Sequence, residues 1–160
     1  MPQDNFQSPK ALGRFMLREA LFGSLATEGA GGYPYVSLVG VAAMPNGMPL
    51  MLLSNLARHT INIRKDPRVS LLICEKPNAP DPLQTARLTV TGKVALAEKS
   101  QVQARYLLRH PGAAKFVDFA DFGFWTLAIE HGHLVATFGK IADLTAEELI
   151  GTGGLTWPKG

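Results

Sequence analysis

The chain lacks the features that would place it in several large classes at once. It holds one cysteine, Cys74, so no internal disulfide can form. That residue sits in the apolar run VSLLICE, which reads as a buried structural thiol and carries no catalytic role. No stretch approaches the roughly 18–20 uninterrupted apolar residues of a membrane span, and the start MPQDNFQSPK has no apolar signal core. A soluble, cytoplasmic protein with no membrane partner is the expectation. No G-x-x-x-x-G-K-[ST] or G-x-G-x-x-G occurs, and there is no nucleophile elbow or zinc-protease motif. Charge is also sparse: 18% of residues are charged and the net charge is +3, with basic residues scattered except around Arg58–Arg68. A nucleic-acid footprint is therefore not expected, and a local anion site is.

What is present suits one globular domain. The 160 residues are 46% apolar, and the 16 Gly and 11 Pro fall mostly at plausible turns. Ser8-Pro9 reads as a helix N-cap with proline in the first turn, followed by Leu12, Phe15, Met16 and Ala20 on one face. Strands follow at FGSLAT, YPYVSLVGVAA and LMLLS, the last two joined through the hairpin signal Asn46-Gly47. VSLLICE is nearly continuous in apolarity, which predicts burial on both faces. ARLTVTGKVALA alternates as a half-exposed strand with a bulge or bend at Gly92. SQVQARYLLRHP predicts a helix capped by Ser100 and stopped by Pro111. FGFWTLAIE and HLVATFG read as two strands joined tightly through His131-Gly132, and Thr145–Glu148 is a capping box for a last short helix. The tail GTGGLTWPKG, 151–160, reads as loosely held. Six or seven strands without regular βαβ alternation predict an α+β fold, an antiparallel sheet closing into a small barrel with peripheral helices.

The one local contradiction is in SNLARHTINIRKDPR. A helix running to Lys65 and stopped by Asp66-Pro67 opens with Arg58 and His59, although a helix start favours Asp or Glu by about 0.3–1 kcal/mol. Leu56, Ile61 and Ile63 are available for its packing. Ser54, Arg58, His59 and Thr60 bring two hydroxyls, a guanidinium and an imidazole to free helix N–H groups, the composition of a phosphate site. Two solvated residues near a helix end are the plainer alternative. His131-Gly-His133 has a spacing metal ligands use but reads as a turn without acidic partners. Asp118 and Asp121 in FVDFADFGFW are either acid–base groups or polar members of a loop over a core. Arg105 and Arg109 read as a solvated helix face.

The order of these motifs resembles the pyridoxamine 5′-phosphate oxidase-like FMN-binding split-barrel superfamily, in the branch related to haem-utilisation proteins. The resemblance rests on LATEGAGGYPYVSLVGVA, NGMPLMLLSNLARHTINIRKDPRVSLLI, ARLTVTGKVA, ARYLLRHPGAAKFVDFADFGFWTLAIE and LVATFGK, and covers about residues 10–150. It implies a homodimer of split barrels with FMN sites between the subunits. Ser37, Ser54, Arg58, His59 and Thr60 would hold the flavin phosphate, backbone at Val39 and Leu53 would flank the isoalloxazine, and Trp125 with the TFGK segment would reach across from the partner.

The implied activity is an FMN-dependent oxidoreductase passing electrons between reduced nicotinamide and a small-molecule acceptor, the cofactor supplying the chemistry. The alternative is a haem-binding or haem-degrading protein on the same barrel, and a further one is a flavin-binding module without turnover. Two departures bear on this. HGHLVATFGKIADL does not reproduce the basic substrate motif of pyridoxamine phosphate oxidases, and DLTAEELIGTGGLTWPKG has no late histidine for haem iron. Asp121 matches an acidic position associated with the haem-degrading members.

Overall fold

The computed structural model describes residues 8–76, 80–137 and 139–151. Helix α1, Pro9–Glu19, starts where expected: the Ser8 hydroxyl accepts from the Ala11 amide at 3.3 Å, and Leu12, Met16 and Leu17 are buried beneath it. Strands β1 (Phe22–Glu28), β2 (Pro34–Gly40), β3 (Ala42–Ala43) and β4 (Pro49–Ser54) follow. Asn46-Gly47 makes the β3–β4 hairpin, with Gly47 at φ 94° and its amide donating to Met44. Then come α2 (Arg58–Lys65), β5 (Arg68–Cys74), β6 (Arg87–Ala97), α3 (Lys99–Arg109), β7 (Phe122–Thr137), β8 (Lys140–Thr145) and α4 (Ala146–Ile150).

The eight strands form one antiparallel sheet in the order β2-β1-β5-β6-β7-β4-β3, with β8 pairing the second half of β7. The ladder does not close: β2 and β3 are its two ends, and β2 packs beside β4 with no strand pairing between them. This is the α+β split barrel, with eight strands where six or seven were expected. One core fills the barrel, drawing on α1, the inner faces of β1, β5, β6 and β7, and α4. A second lies outside β4, under α3, around Leu50, Leu52, Tyr106 and Phe124. β4 is thus buried on both sides.

Several expectations change. Residues 69–75 are not buried on both faces: Val69, Leu71 and Ile73 point inward while Leu72 and Cys74 are exposed, so the thiol is not a core residue. His131-Gly132 is no turn, because β7 runs straight through it for 16 residues. Gly132 gives room to α4: a Cβ there would lie 2.6 Å from a methyl of Leu149, which would have to shift. The reversal comes between Thr137 and Lys140, where β8 begins. Helix α3 starts after Glu98, not at Ser100, and no side chain caps it. Gly92 does mark a bulge, where the β6–β7 register shifts and a Cβ would meet the Ala128 carbonyl oxygen at 1.9 Å. The tail from 152 onward lies outside the described residues.

Candidate functional site

Helix α2 sits at the seam of the split barrel, against β1 and β2. The chain leaves β4 through a turn in which the Ser54 hydroxyl accepts from the Leu56 amide at 3.2 Å. The N-cap is Ala57, which has no side-chain acceptor, and no acidic residue stands in the first turn. The Thr60 amide donates to the Ala57 carbonyl at 3.0 Å, so the bare donors at this end are the amides of Arg58 and His59 themselves. The other end is conventional: Arg64 and Lys65 stand in the last turn, and the helix stops at Asp66. The Arg68 guanidinium and amide hold the Asp66 carboxyl far below its ordinary range.

Inward, α2 is fixed by Ile63 and by Asn62, whose amide Nδ2 donates to the Thr27 hydroxyl at 2.9 Å. Outward, Leu56 is 78% exposed and Ile61 is also exposed, so neither packs the helix as expected. Of the five side chains expected around a phosphate, the structure pairs two with one another: Ser37 Oγ and His59 Nδ1 are 3.0 Å apart. Burial pushes the His59 pKa down, and its Nε2 is enclosed without a partner. Thr60 is fully buried, its hydroxyl also without a partner. The Ser54 hydroxyl donates to Asp121 Oδ2 at 3.1 Å, and the Asn55 amide donates to the Asp121 carbonyl. Ser54 has a single proton to give, so a bound anion must compete with a carboxylate for it. Arg58 faces elsewhere, into a cavity of about 240 Å³ between α2 and the β1–β2 connection, lined also by Glu28, Gly29, Ala30, Leu56, Ile61, Asn62 and Lys65.

Val39 and Leu53 are buried in the barrel core on β2 and β4. Trp125 lies in the same core, opposite Met51 of β4 and Leu96 of β6. The Arg64 guanidinium stands 5.7 Å from its ring centroid, and its indole N–H has no partner. In the TFGK segment, Thr137 and Lys140 pair across the β7–β8 turn, and Phe138 lies outside the described residues. Two associations escaped the sequence because they join distant segments: Asp121 with Ser54, and Glu28 with the outer face of α2. A third is Asp143 on β8. It accepts from or pairs with His133 Nδ1 at 2.8 Å and lies 3.8 Å from His131, so these histidines do have an acidic neighbour. Among the described residues no group of three His, Cys, Asp or Glu is arranged to hold a metal ion. Asp118 pairs with Lys99 on the surface, away from any site.

Comparison with known proteins places this geometry. The chain is 38% identical over 116 residues to the non-canonical heme oxygenase HOZ, chloroplastic, of Arabidopsis thaliana, a match covering 69% of this chain and 35% of that one. It superposes on a heme binding protein from Mycobacterium smegmatis with TM-score 0.85 at 28% identity, covering 91% of this chain and 61% of the other. The chain therefore spans about a third to three fifths of the length of these relatives. A pyridoxinephosphate oxidase family protein from Clostridium acetobutylicum shares the fold, with TM-score 0.68 at 13% identity over 88% of this chain and 96% of that one. No helix among the described residues is long and apolar enough to cross a membrane. The family model for the CREG β-barrel matches residues 9–150, and the chain belongs to that family.

Proposed function

We propose that this protein binds haem and acts in its degradation, as a homodimer with the sites between subunits. The similarity to the Arabidopsis enzyme over 116 residues carries this reading and favours it over the FMN oxidoreductase. The site's own chemistry supports it. Haem presents an iron and two carboxylates. This chain offers a neutral imidazole with an unpartnered nitrogen, an uncapped cationic helix end and exposed apolar side chains beside it. A phosphate dianion fits less well, because the Ser54 proton already serves Asp121.

Haem, when bound, supplies the iron at which oxygen chemistry takes place. The chain's residues position and protect it. His59 is the histidine beside α2. In the tautomer that gives Nδ1–H to Ser37 Oγ, Nε2 keeps its lone pair, and the lowered pKa favours the neutral ring, the form that ligates metals; because Nε2 is enclosed, iron reaches it only once its cover moves. Asp121 is held through Oδ2 by Ser54, leaving Oδ1 to hold or pass a proton. Dioxygen and an electron donor must come from outside. Titration of the purified protein with haem tests the reading: a saturable Soret band is expected, and His59→Ala should shift it or weaken binding at least tenfold. Flavin bands in the purified protein with no haem binding would restore the FMN reading instead.

A further inference from the structure

Arg58 and Lys65 stand seven residues apart on one face of α2 and both line the cavity under the β1–β2 connection. Neither has a carboxylate within ion-pair distance among the described residues. Glu28, the one acid lining the cavity, lies 3.7 Å from Arg68. The cavity thus has a net positive lining, two cations against one carboxylate, and that carboxylate pairs with Arg68 and with neither Arg58 nor Lys65. Its rim is apolar: Leu56 and Ile61, on the same side of α2, stay exposed although they are the residues best suited to packing. Asn62 forms part of the floor, with its Nδ2 committed to Thr27. The cavity, about 240 Å³ and open to solvent on one side, has ample room for a carboxylate arm.

We infer that this cavity is a carboxylate recess that receives a propionate arm of the porphyrin, with Arg58 and Lys65 as its counter-ions and Leu56 and Ile61 against the apolar edge of the ring. The inference rests on the haem reading and refines it. Arg58 then serves a carboxylate from the outer flank of the helix instead of a phosphate at its tip. The arrangement accounts together for three features: unpaired cations, exposed apolar neighbours, and a helix start without an acid. A carboxylate between a guanidinium and an ammonium gains charge-assisted hydrogen bonds that a neutral ester cannot make.

The test compares iron-free protoporphyrin IX with its dimethyl ester, read by quenching of porphyrin fluorescence, on wild type and on Arg58→Ala/Lys65→Ala. Without iron, ligation by histidine does not contribute. The diacid should bind wild type roughly ten- to a hundredfold more tightly than the double variant. The diester should bind both proteins within twofold. Raising salt should weaken only the diacid on wild type. Lys65→Arg should retain most of the affinity, which separates charge from damage to the fold. Equal loss of both ligands, or loss of neither, overturns the recess while leaving haem binding intact. Failure of wild type to bind the iron-free diacid while haem still gives its Soret band overturns the recess alone, and absence of the Soret band with haem overturns the haem reading itself. Octanoate is the third ligand: if it displaces the diacid at or below the concentration of porphyrin needed to fill the site, the recess belongs to simple fatty carboxylates and the porphyrin assignment falls.

Discussion

Asp121 sets the character of the site at the scale of single residues. Its carboxylate accepts the Ser54 proton and its carbonyl accepts the Asn55 amide, so the turn entering α2 is tied to the start of β7. An incoming phosphate would meet that carboxylate at close range, and like charges near one another cost affinity. Wild type should therefore bind FMN no more tightly than riboflavin, and Asp121→Asn should gain a preference for FMN of several-fold, read by flavin fluorescence. A strong FMN preference in wild type, unchanged in the variant, would show that the carboxylate does not contest the phosphate. Gly92 is the counterpart for stability. With the Ala128 carbonyl oxygen 1.9 Å from where a Cβ would stand, Gly92→Ala must push β6 and β7 apart at the bulge. A loss of about 3 kcal/mol or more in chemical denaturation is expected.

Helix α2 trades stability for function at the scale of the element. An aspartate in place of the Ala57 N-cap would accept a free first-turn amide and neutralise the helix end, together worth about 1–2 kcal/mol. Ala57→Asp should raise Tm by about 2–6 °C and at the same time weaken haem and protoporphyrin binding. A variant both more stable and equally able to bind would remove the anion argument. β8 shows how charge secures an element at the other end of the sheet. The hydrogen bond from His133, with His131 adding to it, lowers the Asp143 pKa below its ordinary 3.8. A carboxyl with a depressed folded pKa stabilises above its unfolded value and loses that contribution as pH falls through the folded one. The β7–β8 ladder should therefore loosen below about pH 4, and Asp143→Asn should flatten that part of the Tm against pH curve.

These elements also mark what the sequence could convey. The Ser8 and Thr145 caps, the Asn46-Gly47 hairpin and the Gly92 bulge were legible because their signals are local, whereas Ser100 is no cap. The length of β7 was not, because Gly132 answers to Leu149 of α4 and looks like a turn only in isolation. The cationic start of α2 was legible as an anomaly, but its surroundings were not, since Asp121, just before β7, and Glu28, at the end of β1, come from distant segments.

The outward surface of the sheet carries the last argument, at the scale of the whole molecule. Burial on both faces was expected for the strand at 69–75, and β6 reads from its alternation as half-exposed. β6 is indeed half-exposed, turning Thr89, Thr91 and Lys93 outward and keeping Leu88, Val90 and Val94 inside. The apolar flank lies on β2, β1 and β5. Leu38 of β2 and Leu72 of β5 both register with Ser24 of β1, while Val36 and Ser70 both register with Ala26. Leu38 is 72% exposed and Val36 60%, with only small residues between them and Leu72. Such a flat, smooth patch beside an open strand edge invites a partner or aggregation. β2 also presents Ser37 to His59 on its other face, so a subunit docked here stands one strand away from α2. This is the placement the proposed dimer requires. Leu38→Glu introduces a charge into the centre of the patch without touching either core. Sedimentation at micromolar concentration should give a dimer for wild type and a monomer for the variant, with unchanged far-UV circular dichroism. Haem affinity should fall with dimerisation, because half of each shared site is lost. A wild-type monomer would remove the shared site, and a dimeric Leu38→Glu would move the interface to another face.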